Sequence, residues 1–260
     1  MIAQLVTAAI SACIVSLYVW QDGIHDCNDG VRYTSCMPQP TPFHHRFHHW
    51  PKKLLVPVSL LSMVGLGIAM GDWYRAAMLL SLPGAWFICT RPTTTDAPCM
   101  LLAWGSSETW HTYPSLSIVL AIASGAIHER GPVFAAIYAW NPVMLIGLAG
   151  VQWWRKQGGP DADRLVGHTL VDSIKAHKLY QDLLDPWTVV YGLRGVLPLA
   201  AFGCSSPRAW LALCVAFATR VIGTDTCRFL WWSAPVLLKD SPSSPMWFLM
   251  LHVLTFRRAL

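Results

Sequence analysis

The first twenty residues, MIAQLVTAAISACIVSLYVW, carry no charged side chain, and that run constrains the fold more than any other stretch. The hydrocarbon core of a bilayer is about 30 Å thick, and roughly 20 apolar residues in an α-helix cross it. Further apolar runs follow at 54–70, 76–90, 115–127, 132–151, 187–203, 208–223, 229–238 and 246–256, with polar intervals between them. The chain is 54% hydrophobic and only 13% charged, where a soluble domain carries about 25% charged residues. The pattern predicts an all-α, polytopic integral membrane protein: one membrane domain over residues 1–260, with about eight to ten membrane segments. The opening run has no basic residue ahead of it, so it reads as an uncleaved first helix rather than a secretory leader.

The polar intervals set the expected topology. Gly71-Asp72-Trp73-Tyr74-Arg75 reads as an interfacial turn, and Pro83-Gly84 as a kink in the run that follows. RPTTTDAP, from Arg91, reads as a loop. Residues 99–104 are apolar but too short to span, which suits a broken or re-entrant helix covered by protein or water. Asn141-Pro142 interrupts a segment expected over 132–151. Between Asp161 and Asp185, Val166, Leu170, Ile174 and His177 recur at helical spacing, as on an amphipathic surface helix. Arg155, Lys156, Arg164, Lys175 and Lys178 place this segment, 152–186, in the cytoplasm by the positive-inside tendency. Counting back puts the amino terminus inside and loop 21–53 outside. The net charge of +5 is spread along the chain. It suits anionic lipid headgroups and offers no basic stripe for nucleic acid. The expected location is a plasma (bacterial inner) membrane.

That first loop holds the densest chemistry. It contains Asp22, Asp26, Asp29, His25, the four histidines within 44–49, Arg32 and Arg46. Carboxylates and imidazoles move protons near neutral pH when their surroundings tune them, yet Asp, Asn and Gly are also ordinary turn formers. His44/His48 and His45/His49 have a spacing at which a helix would bind a metal, but prolines flank them and no acidic residue lies among them. Cys27 and Cys36 share the loop and would pair only in an oxidising compartment. Elsewhere, Glu129-Arg130 reads as a charge pair at a helix end. Arg220, Asp225 and Arg228 lie within an apolar stretch, where charges face a cavity or a partner. Asp225 and Arg228 fit either an ion pair three residues apart or an arginine fork for phosphate.

Taken in order, these pieces resemble the GT-C glycosyltransferase superfamily of bacterial and phage membrane proteins. Asp29-Gly30-Val31-Arg32-Tyr33, then Pro40-Thr41-Pro42-Phe43-His44-His45-Arg46, is similar to the DG-x-x-Y and P-x-P-F-x-x-R pattern that follows the first helix there. HERGPVFAAIYAWNPVMLIGL, HKLYQDLLDPWTVVYG and TDTCRFLWWSAPVLL resemble later segments. The resemblance implies a polyprenyl-phosphate-linked sugar as donor, membrane lipids as surroundings and an acidic catalytic residue in the first external loop. Asp29 fits that role best, with Asp26 and Asp22 as rivals. Arg46 becomes the first phosphate-binding candidate, followed by Arg228 and His45, with Tyr33, Glu129 and Asp225 in the same substrate site. No resident cofactor is implied, and a divalent metal is left open. Two other classes compete with this expectation. A transporter would use Arg220, Asp225 and Glu129 along a pathway and would commonly show an internal repeat, which the sequence lacks. A structural or assembly protein would have no cavity joining loop and lipid.

Overall fold

A computed structural model of the chain describes residues 2–25, 52–128, 130–148, 206–218 and 231–240. Regular structure among them is helical, with no strand. In chain order the helices are α1 (Ile2–Asp22), α2 (Lys52–Ala69), α3 (Trp73–Ser81), α4 (Pro83–Thr90), α5 (Asp96–Thr109), α6 (Pro114–Ile127), α7 (Arg130–Ala139), α8 (Pro207–Ala218) and α9 (Ala234–Asp240). The chain divides into two compact units. One comprises residues 1–21, 67–87 and 169–260; the other comprises 22–66 and 88–168.

Among the described residues one helix, α1, is long and apolar enough to cross a membrane; residues 54–69, 114–127 and 207–216 form shorter apolar helices. The 21 residues of α1 extend about 32 Å at 1.5 Å per residue. The segments expected at 187–203 and 246–256, and the amphipathic stretch 152–186, lie outside the described residues.

In the first unit, α3 begins earlier than the expected turn allows. Asp72 caps it, its Oδ1 accepting the Arg75 N–H at 2.7 Å, so Trp73, Tyr74 and Arg75 are already helical. At the other end, Pro83 separates α3 from α4. Proline has no N–H to give the carbonyl four residues back, which here is that of Leu79. The Trp231 indole fills the vacancy, donating to Leu79 O at 2.9 Å. Tyr18 of α1 donates to the next carbonyl, Leu80 O, at 2.9 Å. Trp231 and Trp232 are fully buried, as are residues 234–238 that follow. At the start of α8, Ser206 Oγ donates to Asp240 Oδ2 at 2.5 Å and Arg208 Nε donates to the same oxygen at 3.1 Å. Arg208 Nη2 pairs with Asp240 Oδ1.

The second unit centres on α5, α6 and α7. Trp104 meets Tyr138 edge-on, with ring centroids 5.3 Å apart, and Phe134 lies 5.7 Å from Tyr138. Two serines join α5 to α6 reciprocally: Ser106 Oγ donates to Ser117 O at 2.9 Å, and Ser117 Oγ to Ser106 O at 2.6 Å. Met144 Sδ lies 3.2 Å from Ser106 Oγ. At the α6–α7 junction, a Cβ on Gly131 would sit 2.6 Å from the Ser124 carbonyl carbon, so only glycine permits that approach.

The segment expected over 132–151 is not one continuous helix. It stops at Ala139. Trp140 takes a left-handed φ of +51°, its N–H bonding Ile137 O, while Asn141 N–H reaches back to Ala136 O at 2.9 Å. This is a C-terminal cap of the kind glycine usually makes. Asn141 Oδ1 then accepts from Val143 N at 3.0 Å and opens a 3-10 turn, Pro142–Leu145. The Asn-Pro pair therefore ends one element and starts another.

Two helices bury small and polar residues and expose large apolar ones. In α1, Thr7, Ser11, Val15 and Tyr18 are buried, whereas Ile2, Leu5, Leu17 and Trp20 are exposed, Leu5 to 63%. In α6, Ser117, Ala121, Ser124 and Gly125 are buried, while Leu116, Val119 and Ile122 face outward, Val119 to 59%.

Candidate functional site

The residues on either side of the polar opening loop make two contacts with one segment. After α1, Gly23 adopts a φ of +72°, a turn that glycine makes without strain. The His25 N–H then donates to Thr90 O, the last residue of α4, at 2.8 Å. On the far side of the loop, Ser59 of α2 donates through Oγ to Pro92 O at 2.5 Å. Both flanks of the Asp/His/Arg loop are thus bonded to one short segment, the Thr90–Asp96 turn.

That turn departs from the expected loop. Pro92–Thr94 is a 3-10 turn, closed by Thr94 N–H to Arg91 O at 3.1 Å. Thr95 has a left-handed φ of +61°, unusual for a β-branched residue, and it is the N-cap of α5. A threonine N-cap normally accepts an N–H from the second or third helical residue. Here the third is Pro98, which has none, and Thr95 makes no side-chain cap. The first helical bond runs instead from Cys99 N to Thr95 O, 3.2 Å.

The consequence is a concentration of buried, unclaimed hydroxyls. Thr93, Thr94 and Thr95 are at most 2% exposed, and their Oγ1 atoms have no hydrogen-bond partner. Each such group costs about 1–3 kcal/mol relative to a satisfied one. Asp96 follows at 0% exposure, in the first turn of α5, where a carboxylate gains from the helix dipole. One turn further along, Cys99 Sγ lies 3.2 Å from Ser124 O, tying α5 to the end of α6. Beyond it, His128 is largely buried, and its Nδ1 accepts from Arg130 N at 3.3 Å. A neutral His128 therefore carries its proton on Nε2.

Of the residues singled out in the sequence, Asp22 is described: it ends α1, half-buried, three positions before the His25 contact. Asp26, Asp29, Tyr33, His45, Arg46, Glu129, Asp225 and Arg228 lie outside the described residues, as do Arg220, Cys27, Cys36 and the histidine pairs. Among the described residues no group of three or more His, Cys, Asp or Glu side chains is placed to hold a metal. What the sequence reading passed over is Thr93–Asp96. Its signal was a threonine three positions before an aspartate at the head of an apolar run, a helix-start pattern. That pattern foretells a helix, not a buried polar cluster. Chemically, the turn offers hydroxyls that both donate and accept, plus one carboxylate that accepts when ionised.

No protein-family model matches this chain, and no curated protein or solved structure matches it either.

Proposed function

We propose that this chain is a multi-pass integral membrane protein that works as a GT-C-like glycosyltransferase. It transfers a sugar from a polyprenyl-phosphate carrier to an acceptor hydroxyl. The observation that carries the reading is that residues on either side of the opening loop, His25 and Ser59, bond Thr90 O and Pro92 O, in the segment that leads into the buried Thr93–Asp96 turn. The residues that flank a stretch rich in proton-transfer groups are thereby bonded to a segment that continues into a buried polar turn.

The membrane part rests on the outward Leu, Val, Ile and Trp of α1 and α6, with serine, threonine and alanine inward. Helices in lipid gain little by hiding leucine and pack through small residues instead. In the reaction, a loop carboxylate takes the proton of the acceptor hydroxyl as its oxygen attacks the anomeric carbon. The bond to the lipid phosphate breaks, and the phosphate leaves with the electron pair. Asp29 is the first candidate base, ahead of Asp26 and Asp22. Arg46 stabilises the charge growing on the leaving phosphate, with Arg228 and His45 next. Tyr33, Glu129 and Asp225 complete the substrate set.

The test is transfer from a panel of radiolabelled polyprenyl-phosphate sugars by the purified protein in nanodiscs, with Asp29→Asn, Asp26→Asn and Asp22→Asn compared singly and together. One single variant should lose about 10²–10⁴-fold in rate while still inserting and folding. Undiminished transfer by the triple variant sinks the loop base. Absence of transfer from every donor in the panel sinks the reading itself.

A further inference from the structure

We propose that α6 and α7 form a re-entrant helical hairpin, which dips into one leaflet of a lipid bilayer and returns to the side it entered. Contacts at both ends fix the run of the two helices. At its start α6 meets the end of α5, through Ser117 and Ser106. At its end it meets the start of α5, where Ser124 O lies 3.2 Å from Cys99 Sγ. α7 then begins against Ser124, since a Cβ on Gly131 would sit 2.6 Å from that residue's carbonyl carbon. Trp140 lies about 13 Å along the helix from Gly131, and Ser115 lies the same distance along α6 from Ser124. Just past Trp140, Met144 Sδ lies 3.2 Å from Ser106 Oγ. The chain therefore enters α6 and leaves α7 at one end of the unit.

Neither helix is long enough to cross. The 14 residues of α6 and the 10 of α7 extend about 21 and 15 Å, against a hydrocarbon core of about 30 Å. Tyr113 and Trp140, exposed to 62% and 57%, flank the shared end, as aromatic residues do at a bilayer surface. Glu108 and His111, also exposed, lie outside them. Inward of that end no charged residue occurs from Thr112 to Ile127 or from Gly131 to Leu148, and Leu116, Val119 and Ile122 face outward along α6. This order of charge, aromatic ring and aliphatic chain matches the polarity profile of one leaflet. The protein contact of α6 is on its other side, through Ser117, Ala121, Ser124 and Gly125, the small residues by which helices pack in lipid. The far end is covered by protein: His128, Gly131 and Pro132 are buried, with His128 O 3.9 Å from Cys99 Sγ. A backbone reversal at membrane depth is tolerated where protein covers it. The hairpin rests on the membrane part of the reading above and is independent of the transferase part.

The test is electron paramagnetic resonance on the full chain in phosphatidylcholine–phosphatidylglycerol vesicles. Every cysteine except the buried Cys89 and Cys99 is replaced by serine, and a nitroxide is attached singly through Leu116→Cys, Val119→Cys, Ile122→Cys or Ala126→Cys. Accessibility to oxygen relative to a nickel chelate reads depth. Depth should grow by about 4–5 Å at each step from 116 to 122 and stay near its maximum at 126. A label at 126 as shallow as the one at 116 means that the pair crosses the bilayer, which overturns the hairpin. Free access of the chelate to all four labels overturns the hairpin and the membrane reading together. Dipolar broadening between labels at 119 puts a second copy of the chain on this face and overturns the lipid assignment. Lysine substitution repeats the measurement without a label. Leu116→Lys should keep the wild-type yield of folded, membrane-bound protein, whereas Ile122→Lys and Ala126→Lys should lose at least tenfold, with Ala126→Met unaffected. Equal yields for Leu116→Lys and Ala126→Lys overturn the hairpin. Absence of sugar transfer in the same vesicles bears on the transferase alone.

Discussion

The second unit contains two buried hydroxyl clusters of nearly the same chemistry and opposite fate. Ser106 lies in the last turn of α5 and Ser117 in the first turn of α6, and each hydroxyl finds the other's carbonyl at 2.9 and 2.6 Å. Thr93, Thr94 and Thr95 lie at a helix entrance, and none of their hydroxyls finds anything. Burial is the same in both; what differs is local backbone. Inside α5 and α6 two helices approach closely enough for serine to reach across. At the turn, Pro98 has no N–H to donate to the Thr95 hydroxyl, and Thr95, with its left-handed backbone, makes no side-chain cap. A satisfied cluster holds helices together, whereas an unsatisfied one costs stability and needs a reason beyond the fold.

The comparison predicts a graded set of effects. The largest belongs to the paired charge. Arg208→Met should cost about 1.5–3 kcal/mol, the range for hydrogen bonds to charged groups, measured as the loss of unfolding free energy in detergent. The same node has a pH signature. Burial alone would raise the Asp240 carboxyl pKa, but the bonds from Arg208 and Ser206 and the charges of Arg208 and Lys239 outweigh it and hold it below 3.8. A carboxyl lowered on folding adds stability above its unfolded value and loses it as pH falls through the folded one. The margin of wild type over Asp240→Asn should therefore be full above about pH 4 and shrink on further acidification; a margin flat across that range breaks the assignment.

Next comes Trp231→Phe, which keeps the ring but leaves Leu79 O without its donor. The expected loss is about 1–3 kcal/mol, read from thermal unfolding, and Trp231→His with a donating nitrogen should recover part of it. Ser117→Ala should cost about 1 kcal/mol, the typical net value of one hydrogen bond. The smallest effect, and the sharpest contrast, is Thr94→Val, predicted to be neutral or slightly stabilising by the same unfolding measurement. Equal losses for Ser117→Ala and Thr94→Val would erase the distinction drawn between the two clusters.

Much of the helical layout was legible without coordinates. The uncharged opening run became α1, the run from residue 54 became most of α2, and Pro114 to Ile127 formed a helix as its apolar content required. Pro83 broke the chain where proline must. Two details were not legible. Trp140 takes a left-handed cap that composition would assign to glycine, and Trp73 starts a helix because Asp72 caps it. Both depend on which backbone groups remain unpaired after neighbouring elements pack.

For the candidate site the division is similar. The Asp/His/Arg loop stands out in the sequence because charge is rare in this chain, and rarity needs no coordinates to be seen. The Thr93–Asp96 turn does not stand out, since threonine and aspartate are common in exposed loops and nothing local says that these are buried. By itself the sequence determined where helices form, through apolar run length and proline position, both properties of consecutive residues. The tertiary structure alone decided which faces turn inward, that Trp231 would complete a carbonyl 152 positions away, and that both flanks of the polar loop would meet one turn. Those outcomes depend on contacts between segments far apart in the chain, and no local pattern encodes them.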